Sequence, residues 1–305
     1  MQYHYYIADV FTEQPFNGAQ IAVFPHADGL DQIHMQLIAR ELNLSETAFV
    51  LPGPNGTDTR RVRIFSPRAE IDFAGHPVIA IGHVLAAIGD IKLNGKNTAF
   101  KIEQNIGPIQ VNITQDNGKP VLIQFTLETN PVIDRFVPPE QQIAEFLSIE
   151  EADIDTRKFH PLIVYSGQPY LIVPIKTYTA VRNAKFNFPA WGRSHAPASM
   201  AREILLFTTQ SDVNESNFHA RLLGPQIGTN DDPPIGSAMP AFTGYLCSHN
   251  HIKKGTHTFV IDRGPVSGRK SILNIEMDNK QEAKLTIRIG GPAIMISAGT
   301  ISIPG

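Results

Sequence analysis

The chain is poor in several things. It has one cysteine, Cys247, and one tryptophan, Trp191. A single thiol excludes an internal disulfide and any mechanism that needs two cysteines, and it fits a reducing cytoplasm. Charge is sparse as well: Asp, Glu, Lys and Arg make up 18% of 305 residues, the formal net charge is −3, and no basic run occurs. Phosphate backbones are held by clustered Lys and Arg, so nucleic acid is not an expected partner. No apolar run approaches the ~20 residues that cross a bilayer, and Met1-Gln2-Tyr3-His4-Tyr5-Tyr6 leads into a strand-like segment rather than a basic-then-apolar leader. No membrane association is expected. G-x-G-x-x-G after a strand, G-x-x-x-x-G-K-[ST] and G-x-S-x-G are all missing, so nucleotide binding has no support. Cys247, His249, His251 and His257 match no zinc spacing, and no metal is expected.

What is present points to a globular protein. Apolar residues are 42%, and a chain of this length usually forms two domains, each with its own core. Pro131 to Pro139 carries three prolines and reads as the linker, giving domains of 1–130 and 131–305, with the last strands free to pack back on the first. Tyr5 to Phe11 and Gln20 to Phe24 read as strands. Asp31 to Leu42 reads as an amphipathic helix with Asp31 as cap and Ile33, Leu37 and Ile38 on its buried side. Further strands are expected at Thr47 to Leu51, Arg61 to Phe65, Phe100 to Glu103, Ile109 to Ile113 and Val121 to Phe125, with a hairpin turn at Asn117-Gly118. After the linker come a helix at Gln141 to Phe146 and strands at Leu162 to Tyr165, Tyr170 to Ile175, Glu203 to Thr208 and His219 to Leu223. Phe188 to Met200 reads as irregular. The tail reads as short strands, with Ala293 to Ile296 and Thr300 to Ile303 as separate pieces.

Two stretches share one design. Phe73-Ala74-Gly75-His76-Pro77 and Ile235-Gly236-Ser237-Ala238 each place glycine, then a small or imidazole side chain, before an apolar helical run. Their glycines are 161 positions apart (236 − 75). Upstream, Val62-Arg63-Ile64-Phe65-Ser66-Pro67 can be laid against Ala220-Arg221-Leu222-Leu223-Gly224-Pro225 at an offset of 158. The order strand, proline, acid, glycine, helix occurs in both, as in a duplicated α+β fold. Glycine admits a ligand close to backbone N–H groups, and a helix start favours an anion, so two such ends facing each other would make a carboxylate-binding cleft.

The candidate chemistry is small. Glu46 stands in the otherwise uncharged stretch Asn43 to Pro52, where desolvation would raise its pKa towards that of a general acid/base; from this stretch alone the plainer reading is a surface or capping glutamate. His76 can shuttle a proton or cap its own helix. Asp232 is a lone acid before the second turn, and Ser237 can hold a carboxylate or serve as an N-cap.

With those residues in place, the sequence resembles the phenazine-biosynthesis isomerase (PhzF-like) family. The resemblance runs over nearly the whole chain: Asp9-Val10-Phe11-Thr12 with Pro15-Phe16 and Gly18, Ala22-Val23-Phe24, Leu44-Ser45-Glu46-Thr47-Ala48-Phe49-Val50, and Arg63-Ile64-Phe65-Ser66-Pro67. It continues with Glu70, Phe73-Ala74-Gly75-His76-Pro77 and Asp231-Asp232-Pro233-Pro234-Ile235-Gly236-Ser237-Ala238. It implies the diaminopimelate-epimerase-like fold, two pseudo-symmetric domains, each a curved, mostly antiparallel sheet around a central helix. It also implies a cofactor-independent cytoplasmic homodimer that isomerises a small cyclic or unsaturated carboxylic acid. Glu46 would transfer the proton, with His76 and Asp232 assisting and Gly75, Gly236 and Ser237 binding substrate. The related epimerases use two cysteines, and here the equivalent turns carry His76 and Ser237. A single carboxylate moving a proton on one face is isomerisation. Ala19-Gln20, Pro234-Ile235 and Gly268-Arg269-Lys270-Ser271 depart from the family pattern, which leaves the phenazine precursor open as substrate. Two other readings stay open: a catalytically silent carboxylate-binding protein on the same fold, and an amino-acid epimerase with non-cysteine bases.

Overall fold

A run of alternating residues ends at Asn117 and Gly118, both with positive φ (50° and 77°), and there the chain doubles back into a tight hairpin. This is the turn that an Asn-Gly pair favours, because its twist matches the strands it joins. The computed structural model describes residues 1–53, 59–199, 201–225, 227, 232–249, 252–265, 268–280 and 284–303. It divides into two units: residues 1–127, 269–273 and 288–305, and residues 128–268 and 274–287. Met200, Asp231 and His251 lie outside the described residues.

The first unit begins with strands β1 (Gln2–Val10) and β2 (Ala19–Phe24), helix α1 (Gln32–Leu42), and strands β3 (Glu46–Leu51), β4 (Arg60–Phe65) and β5 (Glu70–Ile71). Helix α2 (Gly75–Ala87) follows, then β6 (Asn97–Gln104), β7 (Gly107–Asp116) and β8 (Lys119–Thr129). The second unit holds β9 (Val132–Asp134), α3 (Glu140–Leu147), β10 (Leu162–Ser166), β11 (Gln168–Pro174), α4 (Tyr178–Asn183) and α5 (Phe188–Arg193). It continues with β12 (Glu203–Thr208), β13 (Phe218–Leu223), α6 (Met239–Cys247) and β14 (Gly255–Arg263), while β15 (Ser271–Asn279) and β16 (Leu285–Gly291) have residues in both units. The last strand, β17 (Ala293–Ser302), returns to the first unit and pairs antiparallel with β1.

The same ladder is built twice. In the first unit β1 and β2 are antiparallel, β2 and β3 parallel, β3 and β4 antiparallel, and β4 and β6 parallel. In the second, β10 and β11, β11 and β12, β12 and β13, and β13 and β14 follow the same alternation. The residues laid against each other in the sequence, 62–65 and 220–223, fall on β4 and β13, the fourth strand of each ladder. The architecture is α+β, in two units of like topology.

Each ladder has a helix that is apolar all round. In α2 every residue but His83 and Ala87 is buried, and in α6 every residue but Cys247. Such helices belong inside a core, not on a surface. α2 packs on β1, β2, β3, β7 and β17, and α6 on β9, β10 and β11. The opposite faces take the amphipathic helices. Met35, Ile38 and Ala39 of α1 join Phe24, Phe49 and Phe65 in one cluster, and Ile143, Phe146 and Trp191 join Leu171, Val173, Ile204 and Leu206 in another.

Four expectations need correction. Asp31 does cap α1, accepting from the His34 amide at 2.8 Å, but Ile33 and Leu37 are 70% and 50% exposed. The phenyl rings of the sheet select the stripe 35, 38, 39, spaced as one helix face, and only Ile38 of the expected set lies on it. The proline-rich linker contains β9, because its prolines flank Val132–Asp134 and leave the strand's own N–H donors intact. Residues 188–199 hold α5 and a 3-10 turn at Ala196–Ala198; Pro189 starts the helix rather than breaking it, and Asn187 caps it by accepting from the Ala190 amide. The two final pieces are one strand, since a bulge at Ile7/Ala8 opposite Ser297/Met295 absorbs the irregularity.

Candidate active site

Glu46 is the first residue of β3 and lies opposite Ile21 of β2. Side chains alternate along a strand, and Phe49 points into the α1 cluster. Glu46 therefore leaves β3 on the other face, the one on which α2 packs. The residue is half-buried, yet its Oε2 is buried and has no hydrogen-bond partner among the described residues. Burial raises the carboxyl above the ordinary glutamate range, opposed only by a hydrogen bond from Ser45. A carboxyl raised in this way is a stronger base when ionised than an ordinary glutamate, as a proton-transferring group needs.

The start of α2 is fixed by its surroundings. His76 is 3% exposed and meets the Phe11 ring edge-on at 5.1 Å. The N-cap residue of this helix is Ala74, whose side chain can accept no hydrogen bond. The preceding residue, Ala74, is held by the buried Gln104 amide, whose Oε1 accepts from Ala74 N at 3.3 Å while Nε2 donates to Ala74 O at 3.4 Å. Arg63 grips Glu70 through two hydrogen bonds of 2.8 and 2.6 Å, and Asn105 reaches Asp72 at 3.2 Å, steadying the approach to the turn. Gly75 serves packing: a Cβ there would lie 2.6 Å from Phe125 Cζ.

In the second unit, Gly236 and Ser237 lie in a 3-10 turn, Gly236–Ala238, that leads into α6 with Pro240 in its first turn. The helix proper thus begins two residues after Ser237, because the tighter turn takes up the start. The N-cap positions of the turn and of α6 are Ile235 and Ala238, not Ser237. Asp232 Oδ2 accepts from Arg182 Nη1 at 2.6 Å, while Oδ1 has no hydrogen-bond partner among the described residues and Arg263 Nε is 3.9 Å away. Arg221, beside them, donates to the carbonyls of Arg182 and Ala184, and burial lowers its pKa.

The structure places Glu46, Gly75 and His76 in the first unit and Asp232, Gly236 and Ser237 in the second. Gln104, Arg182 and Tyr170 escaped the sequence reading. Tyr170 is buried, its hydroxyl accepts from Gln168 Nε2, and it lies opposite Glu203 in the register of β11 and β12. Only Glu203 left a trace in the sequence, as an acid near the repeat offset from Glu46. Among the described residues no group of three or more His, Cys, Asp or Glu could hold a metal. No helix among them is long and apolar enough to cross a membrane.

Residues 8–299 match the family model described as phenazine biosynthesis-like protein. An uncharacterized isomerase of Mesorhizobium japonicum is 31% identical, over 98% of this chain and 99% of its own. Trans-2,3-dihydro-3-hydroxyanthranilate isomerase of Pseudomonas fluorescens is 27% identical, over 98% of this chain and 99% of its own. In structure, the chain is similar to the Bacillus anthracis phenazine biosynthesis protein of the PhzF family, with a TM-score of 0.87, 22% identity, and coverage of 99% and 100%. The chain belongs to the phenazine biosynthesis-like (PhzF) family. It is an isomerase.

Proposed function

We propose that this isomerase moves a proton on a small cyclic or unsaturated carboxylic acid, without cofactor, with Glu46 as the acid/base. The observation that carries the reading is the Glu46 carboxyl, turned to the α2 face of β3, with Oε2 buried and without a hydrogen-bond partner among the described residues, and its pKa raised by burial. Glu46 takes a proton from carbon, leaving an anion delocalised through the unsaturation, and returns it to another position on the same face. His76, at the α2 start, assists proton movement, and the helix end favours the developing negative charge. Gly75, Gly236 and Ser237 bind the carboxylate, with Asp232, tied to Arg182, orienting the substrate. Inversion by two thiols has no material here, since Cys247 is the one cysteine. The working form is taken to be a cytoplasmic homodimer.

The test is proton exchange. Trans-2,3-dihydro-3-hydroxyanthranilate, the compound in the Pseudomonas enzyme's name, is the first substrate to try, followed by other small unsaturated carboxylic acids in heavy water. Wild type incorporates deuterium, and Glu46→Gln loses incorporation while keeping its far-UV spectrum and melting cooperativity. Undiminished exchange in that variant would remove Glu46 from the role.

A further inference from the structure

Helix starts commonly give one of their first N–H groups to the side chain of the N-cap residue. Helix α2 cannot, because its N-cap is Ala74. Gly75, the first helical residue, has no acceptor for its N–H within its own helix, and Pro77 in the same turn has no N–H at all. The direction in which the Gly75 N–H points is therefore set from outside the helix.

Gln104 does this. It is the last residue of β6, 2% exposed, and shares the buried side of the strand with Ile102. Ala74 is extended, at φ −144° and ψ 132°, which turns its own N–H and C=O to the same side. The Gln104 amide meets both, accepting from Ala74 N at 3.3 Å and donating to Ala74 O at 3.4 Å. Only one orientation of the amide fits, because Ala74 offers one donor and one acceptor. A side chain thus stands in for a neighbouring strand over a single residue. The next residue, Asn105, donates to Asp72 at 3.2 Å, so the end of β6 holds the approach to α2 at two points.

The effect is felt one peptide further on. The bond joining Ala74 to Gly75 is trans and planar, so its C=O and N–H point in opposite directions. Holding Ala74 O towards Gln104 aims the Gly75 N–H the other way, and turning the peptide over would break the bond from Gln104. We infer that Gln104 is a positioning residue that fixes the Ala74–Gly75 peptide so that the Gly75 N–H is presented to the substrate carboxylate. This rests on the reading above that Gly75 binds that carboxylate. Gln104, Ala74 and Gly75 all belong to the first unit. A donor aimed in advance needs no reorganisation when the anion arrives. Without Gln104 the peptide can rotate, and a carbonyl oxygen turned to the ligand repels a carboxylate.

The test reads that N–H by NMR in the full chain, with benzoate as the probe. Ala-Gly pairs occur twice, at Ala74-Gly75 and Ala298-Gly299. Labelling alanine carbonyls with carbon-13 and glycine with nitrogen-15 isolates these two amides, and Ala298→Ser, at an exposed strand position, leaves Gly75 alone. Benzoate should move the Gly75 signal downfield. In Gln104→Met, which keeps the side-chain length without the amide, that movement disappears and benzoate affinity falls about tenfold, the effect of one hydrogen bond to a charged group. Gln104→Glu is the rescue, because its carboxyl donates to Ala74 O only when protonated. Over the range in which benzoate is ionised, this variant should bind as wild type at the acid end and weaken as the introduced carboxyl ionises, a pH dependence that Gln104→Met lacks. Wild-type affinity and an unchanged Gly75 response in Gln104→Met would overturn the inference, and so would Gln104→Glu that stays weak at every pH. A wild-type Gly75 signal indifferent to benzoate would overturn it as well, by removing the carboxylate from that N–H. Failure of the proton-transfer reading shows instead in deuterium exchange by Glu46→Gln, so the two are told apart.

Discussion

Replacing Gly75 by alanine tests why the glycine is there. Its added Cβ would meet Phe125 Cζ at 2.6 Å and Cε1 at 3.3 Å, closer than carbon atoms pack. Phe125 is 1% exposed and contacts the Phe73 ring edge-on at 6.3 Å, so the ring has little room to withdraw. Overpacking of this kind costs about 1 to 3 kcal/mol. Phe125→Leu removes the offending end of the ring and costs roughly 1 to 2 kcal/mol by itself. Because the second change relieves the first, the double variant should be more stable than the sum of the two losses by about 1 to 2 kcal/mol. Urea denaturation of the four proteins, followed by far-UV circular dichroism, measures this coupling. Deuterium exchange on the same four separates sterics from ligand approach: relief of the clash should recover activity together with stability. Additive stability losses would refute the packing account. Stability regained without activity would assign the glycine to the ligand.

Three further outcomes are expected. Hydrogen bonding from Arg63 holds the Glu70 carboxyl below the ordinary range, against opposing burial, so this pair's contribution is complete above the unfolded glutamate pKa. It is lost as pH falls through the lower folded value, and Glu70→Gln should cost about 1 to 2 kcal/mol at neutral pH and flatten that acid limb in urea titrations. Arg182→Met strips Asp232 of its 2.6 Å partner and should cost about 2 kcal/mol, with less than additive loss when combined with Asp232→Asn. Burial pushes the Cys247 thiol up to about 11. Its alkylation by iodoacetamide at pH 8 should run roughly a hundredfold slower in the native protein than in urea.

Much of this architecture is legible from local pattern, and the failures have identifiable causes. The strands of the first unit and the Asn117-Gly118 hairpin follow from alternation and turn chemistry, which act over a few residues. The duplication shows as the match of residues 62–65 to 220–223 because both are the fourth strand of a ladder, with the same packing demands. The face of α1 was misread because Ile33 and Leu37 are as apolar as Ile38, and only the sheet beneath decides the phase. The α5 helix was missed because Pro189 and Gly192 look like breakers out of context. At the site, Glu46 stands out as an acid in an uncharged stretch. Gln104 and Tyr170 leave no trace, since what matters is the residue they meet across space: Ala74 for one, Glu203 across the strand pair for the other.

The first unit is closed by residues that follow the second unit in the chain. Asp9, fully buried, receives Arg269 as its partner, and β1 receives β17 along its whole length. A ribosome that has synthesised only the first 260 residues therefore carries a β1 with one open edge and a carboxylate without its guanidinium. Early residues must wait, paired on one side, until the second unit has emerged. Maturation of this half is thus timed by translation of the other, and stalling late in the message exposes an adhesive strand edge at the moment when chaperone cover matters most.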